Sequence, residues 1–106
     1  MDLDDDKIVD LFWQRSESAI CEIEKKYARY IKNIAYRILG NHQDTEECEN
    51  DVYLKAWNSI PPTRPSILSA FLAKITRNLA LDRYDKLKAK KRGAGQVDVV
   101  LEELSY

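Results

Sequence analysis

Apolar residues recur along this chain at steps of three and four, and that period predicts helices over most of its length. The acid-rich start suits a helix N-terminus, and Ile8, Val9, Leu11, Phe12 and Trp13 then give a short helix from about Asp4 to Trp13. Ser16 is a good N-cap for a second, long helix. Ala19, Ile20, Ile23, Tyr27, Tyr30, Ile31, Ile34, Ile38 and Leu39 form its stripe, and Gly40 is its stop. A third helix is expected from Asp44 or Thr45 to near Ser59, with Cys48, Val52, Tyr53, Ala56 and Trp57 on its buried side. Three prolines, Pro61, Pro62 and Pro65, then rule out helix interior and predict a stiff loop from Ile60 to Ile67. Ser66 or Ser69 can cap a fourth helix with the stripe Leu68, Phe71, Leu72, Ile75, Leu79 and Tyr84. Its period persists to about Lys90, and Gly93 and Gly95 then predict a break. No strand-like alternation appears. The fold class expected is all-α, a compact bundle of three main helices plus a short N-terminal one.

The 106 residues suffice for one domain with one modest core. The expected division is a helical domain over residues 1–92 and a linker or tail over 93–106, the latter a short amphipathic piece that could fold back on the bundle. With 44% apolar and 33% charged residues the balance is that of a soluble globular chain, which excludes a disordered one. No apolar run approaches the roughly 20 residues of a membrane helix, and MDLDDDK lacks the order of a secretory signal. A cytoplasmic location with no membrane insertion is therefore expected. Cys21 and Cys48 are too far apart for a metal motif and read as reduced, small apolar residues. His42, in a Gly-Asn-His-Gln turn, has no ligand-type neighbours. Neither a metal, a cofactor nor a catalytic group is expected: there is no Gly-rich phosphate loop, and the lone histidine offers no convincing nucleophile–base pair.

The net charge of −1 conceals two poles. From Asn41 to Tyr53 there are five acids and no Lys or Arg; from Lys74 to Arg92 there are eight basic residues against Asp82 and Asp85. Opposite poles suggest two partners, a basic protein surface for the first and a polyanion for the second. Ordinary solvated helix faces explain the charge equally well when nothing else is considered.

Two stretches change that balance. Asp44-Thr45-Glu46-Glu47-Cys48-Glu49-Asn50-Asp51-Val52-Tyr53-Leu54-Lys55-Ala56-Trp57 resembles the polymerase-binding helix of extracytoplasmic-function (ECF) sigma factors. Phe71-Leu72-Ala73-Lys74-Ile75-Thr76-Arg77-Asn78-Leu79-Ala80-Leu81-Asp82-Arg83 resembles that family's promoter helix. The resemblance covers roughly residues 7 to 92, to the N-terminal domain called sigma region 2. Asn50 stands where the family usually has Gln, Phe71 where it has Trp and Asp85 where Arg is common, and the loop is shorter and richer in proline. The family's downstream helix-turn-helix domain is not within these residues.

The resemblance implies a transcription initiation factor domain, not an enzyme, that binds core RNA polymerase and recognises and melts the −10 promoter element. Asp44, Glu47, Asn50, Asp51 and Leu54 would meet the clamp coiled coil of the largest polymerase subunit. Their steps of three or four place Asp44, Glu47, Asp51 and Leu54 on one helix face, a carboxylate row around a leucine. Lys74, Arg77, Asn78, Asp82, Arg83 and Lys86 would face DNA, with cations on phosphates and the amide on a base edge. Asp82 can instead pair with Lys86 along the helix. Thr63, Arg64 and Ser66 of the loop would contact a base flipped from the non-template strand. The lysine run from Lys86 to Arg92 suits phosphates or a solvated helix end. An anti-sigma factor is a further partner the resemblance implies. Two rival readings stay open: a sigma-like helical interaction module that does not melt DNA, and a small helical enzyme acting on nucleic acid.

Overall fold

The computed structural model describes residues 3–95, with side chains described for residues 3–90. It contains α1 (Asp5–Trp13), α2 (Ser18–Leu39), α3 (His42–Ser59) and α4 (Leu68–Gly95), with no strand among the described residues. The all-α expectation holds. The expected tail from Gln96 to Tyr106 lies outside the described residues. No helix among them is long and apolar enough to cross a membrane.

Helix α2 packs against each of the other three helices, and α3 also packs on α4. The core joins Ile8, Val9 and Phe12 of α1 to Ala19, Ile23, Ile31 and Ala35 of α2. Cys48, Val52, Tyr53 and Ala56 of α3, then Leu68, Leu72 and Ala80 of α4, complete it. The buried stripe of α4 is turned slightly from the expected one. Leu68, Leu72, Thr76 and Ala80 step by four and are buried, whereas Phe71, Ile75 and Leu79 are half-buried and Tyr84 is exposed. Leu68 and Leu72 fill the inner positions as expected, Thr76 and Ala80 continue them with smaller side chains, and Phe71, Ile75 and Leu79 cover the edges of the core. Thr76 tolerates burial because its hydroxyl donates to the Leu72 carbonyl at 2.7 Å.

Each connection is closed by identifiable hydrogen bonds. Helix α1 ends in a Schellman motif: Ser16 N–H donates to the Leu11 carbonyl and Arg15 N–H to the Phe12 carbonyl, both at 3.0 Å. The motif needs a left-handed residue, and Arg15 supplies it at φ 57° where glycine is usual. Ser16, the expected cap of α2, accepts the Ala19 N–H through its carbonyl at 3.0 Å; its hydroxyl lies 3.4 Å from Ser18 N. Gly40 stops α2 at φ 76°, as expected.

Helix α3 starts two residues before the expected point. Asn41 is its N-cap: Oδ1 accepts from Asp44 N–H at 2.8 Å and Nδ2 donates to Asp44 Oδ2 at 2.7 Å. His42 is thus the first residue of α3 and not part of a free turn, and its ring stacks on Tyr36 with centroids 5.0 Å apart. Neither Ser66 nor Ser69 caps α4 with its side chain; the first turn closes through Phe71 N–H on the Ile67 carbonyl at 3.1 Å. Helix α4 continues to Gly95, through Gly93 where the sequence predicts a break. A glycine costs a helix only about 1 kcal/mol, which the regular chain on its N-terminal side tolerates.

The C-terminal end of α3 is held from the α1–α2 connection. The Arg15 guanidinium donates to the carbonyls of Trp57 and Ile60, both at 2.9 Å, and lies 3.7 Å from the centre of the Trp57 ring. Two carbonyls that the helix end leaves open are thereby satisfied. Phe12 meets the same indole, with centroids 6.2 Å apart. Replacing Arg15 by alanine removes two charged hydrogen bonds and a cation–π contact while keeping the left-handed strain. We expect Arg15→Ala to lower stability by about 2 kcal/mol, read from urea denaturation; an unchanged midpoint would remove this role.

Candidate functional site

The acids of α3 point in three directions. Glu49 turns inward and is only 6% exposed. The Tyr53 hydroxyl donates to its Oε2, and Lys32 of α2 lies 3.8 Å from Oε1. Burial, joined by the hydrogen bond and charge of Glu49, pushes the Tyr53 hydroxyl far above the ordinary tyrosine range. Glu46 lies at the rim of an open groove between α2 and α3, where Lys25, Arg29, Lys32, Arg37 and His42 also line the surface. The remaining acids, Asp44, Glu47 and Asp51, converge on one cation from α4.

That cation is Arg83. Its Nη1 lies 2.9 Å from Glu47 Oε1 and 3.4 Å from Asp44 Oδ1, and its Nη2 lies 3.5 Å from Asp51 Oδ2. Burial alone disfavours the charged guanidinium. The field of Glu47 and the hydrogen bonds of Asp51 and Glu47 outweigh that and raise its pKa above the ordinary arginine value. The expected row of Asp44, Glu47 and Asp51 is therefore real in space, and Arg83, expected on DNA, is bound to it. Next along the helix, Leu54 is 60% exposed, and Asn50 is exposed beside it. A recess of about 330 Å³ opens there, lined by Glu17, Ile20, Tyr53, Leu54 and Trp57.

The other expected residues separate into two groups. Lys74, Arg77 and Asn78 are exposed on α4, and none has a side-chain hydrogen bond or ion pair among the described residues. Asp82 and Lys86, also exposed, pair with each other at 3.0 Å. In the loop, Thr63 and Ser66 are exposed, and Thr63 N–H closes a turn on the Ser59 carbonyl at 2.9 Å. Arg64 instead reaches α1, where it pairs with Asp10 and lies 6.0 Å from the centre of the Trp13 ring. The structure thus gathers the acidic row, leaves the start of the α4 face open, and ties the loop down through Arg64. Tyr53 is buried as expected, whereas the role of Arg15 and that of Glu49 as acceptor of the Tyr53 hydroxyl were not singled out by the sequence. Glu49 had a readable signal, because it falls between Thr45, Cys48 and Val52 on the buried stripe.

The family model for Sigma-70 region 2 matches residues 25–90. This chain belongs to the Sigma-70 region 2 family. The match begins within α2 and takes in the whole of α3, the loop and most of α4. The chain is also similar to the ECF RNA polymerase sigma factor SigE of Mycolicibacterium smegmatis, 26% identical over 82 residues. That alignment covers 77% of this chain and 30% of the relative, so the chain spans less than a third of the relative's length. No solved structure matches. Together these place the chain as a sigma region 2 domain that is similar to part of an ECF sigma factor.

The two thiols of this region 2 domain occupy opposite environments. Cys21 is exposed and Cys48 is buried, so the apolar role expected for both belongs to Cys48 alone. Burial pushes the Cys48 thiol up to about 11, against the opposing pull of Arg83, with Asp51 adding to the rise. At pH 8 we expect iodoacetamide to alkylate Cys21 readily and Cys48 only on unfolding. The raised folded value also means that Cys48 contributes stability below its unfolded pKa, lost as pH rises from about 9 towards about 11. Mass spectrometry after alkylation checks the first expectation; equal labelling of both thiols in the folded chain would contradict it.

Proposed function

We propose that this domain docks on core RNA polymerase through α3 and recognises and opens the −10 promoter element through α4 and the loop before it. The observation that carries the reading is the surface around Leu54. An exposed leucine, a recess and a carboxylate row lie on one helix that also carries the family's polymerase-binding motif. Charge on the row steers and registers a basic partner, and Leu54 with the recess supplies apolar contact to hold it. The clamp coiled coil of the largest subunit is the partner this implies.

For DNA, Lys74 and Arg77 are cations without partners among the described residues, and Asn78 beside them offers an amide to a base edge. Thr63 and Ser66 offer polar groups on a loop anchored to α1 by Arg64 and, at Ile60, to the α1–α2 connection by Arg15. Fixing the loop in advance lowers the ordering cost of capturing an unstacked base. The domain has no turnover in this reading; the polymerase, in the cytoplasm, carries out the chemistry. Arg83 is assigned to the acidic row and not to DNA.

The deciding experiment is a pull-down with purified core polymerase. Asp51→Arg and Leu54→Glu, both at exposed positions, should each weaken retention about tenfold or more with the helical circular-dichroism signal intact. Retention equal to that of the unaltered chain would refute core docking through α3. For the DNA half, Lys74→Glu with Arg77→Glu should abolish promoter opening when placed in a sigma factor that carries this domain, while core retention stays within about twofold. Unchanged opening, scored by permanganate reactivity of the −10 thymines, would favour the interaction module that does not melt DNA.

A further inference from the structure

Arg83 occupies the same three carboxylates that the proposed function offers to a basic partner. It rises from α4, so the row on α3 is already in contact with a cation of its own chain. The occupation is incomplete. Only the Glu47 contact, at 2.9 Å, has ordinary hydrogen-bond length; those to Asp44 and Asp51 are 3.4 and 3.5 Å. One guanidinium against three carboxylates also leaves two negative charges uncompensated. The side chains of Glu47 and Asp51 are 49% and 53% exposed, so a cation can approach from outside.

We propose that Arg83 is an internal stand-in for the docking partner's cation. The α3 row is then a self-occupied site whose partner must present guanidinium groups able to replace Arg83. This rests on the reading that α3 docks on core polymerase, and it adds a selectivity to that reading. A partner with a single cation gains little, because it only exchanges one guanidinium for another. A basic helix bearing two or more arginines compensates more of the row than Arg83 does and displaces it.

The test is the affinity of the fluorescently labelled chain for purified core polymerase, with thermal melts confirming that every variant is folded. If Arg83 competes with the partner, Arg83→Gln tightens docking by about 3- to 10-fold at low salt. Arg83→Lys, which keeps the charge but lacks the fork, tightens it less and carries the same test should the glutamine variant not fold. Asp51→Asn should also weaken docking more in the Arg83→Gln background than in the unaltered chain, since the partner then has the carboxylate to itself. Docking that the Arg83 variants weaken or leave unchanged overturns the inference alone and makes Arg83 a pre-organising strut. Failure of the unaltered chain to dock overturns the reading beneath it.

Discussion

A single guanidinium bridges the third and fourth helices of this domain and offsets part of the charge on the acidic row. Asp44, Glu47 and Asp51 recur at steps of three and four along α3, so their charges lie close together and repel one another. Arg83 offsets that repulsion from across the interface and joins one turn of α4 to two turns of α3. Most of the packing energy lies elsewhere, in the apolar seam of Val52, Ala56, Leu72 and Ala80, which excludes water and holds the two helices together. Individual part-exposed ion pairs are worth only a few tenths to about 1 kcal/mol, so Arg83 adds little to that. What the shared cation sets is the charge that the row on α3 presents to its surroundings.

The second constraint is the set of short connections. Two left-handed residues, Arg15 and Gly40, turn the chain sharply enough for neighbouring helices to pack side by side. Gly40 adopts that conformation at little cost. Arg15 bears steric strain, offset by what its side chain does at the far end of α3. The same end is where the proline loop begins, and Ile60 is fully buried there. Arg64 ties the loop to Asp10 of α1, and Arg15 of the α1–α2 connection holds it at Ile60. The N-terminal part of the bundle therefore holds, at two points, the segment assigned to the unstacked base.

Much of the fold was legible in the sequence because periodicity is a local property. The extents of α1 and α2, the stop at Gly40 and the buried side of α3 follow from residues within one or two turns. The start of α3 was misplaced because Asn41 and Asp44 cap each other reciprocally, and a Gly-Asn pair reads first as a turn. The inner stripe of α4 was read correctly at Leu68 and Leu72, whereas Thr76 and Ala80 were missed because large apolar residues dominate a hydrophobic pattern. The acidic row of α3 was legible as a spacing. Its own cation was not, because Arg83 lies 32 residues from Asp51 and only the packed helices bring them together. The reach of Arg15 to Ile60, across 45 residues, was hidden for the same reason.

Counting basic residues along α4 therefore overstates its affinity for a polyanion. Phosphate binding gains from releasing counterions around cations that are free to engage, so a cation already held by a carboxylate contributes less. Arg83 is held by three carboxylates and Lys86 by Asp82. Lys74 and Arg77 have no such partners among the described residues, and Asn78 follows them on the chain. Uncommitted charge thus lies near the start of α4, beside the loop. In the proposed reading, that is where a strand leaving the duplex would need both a phosphate grip and a place for a base. The sequence carries its cations along the whole helix, and the fold decides which of them are already paired.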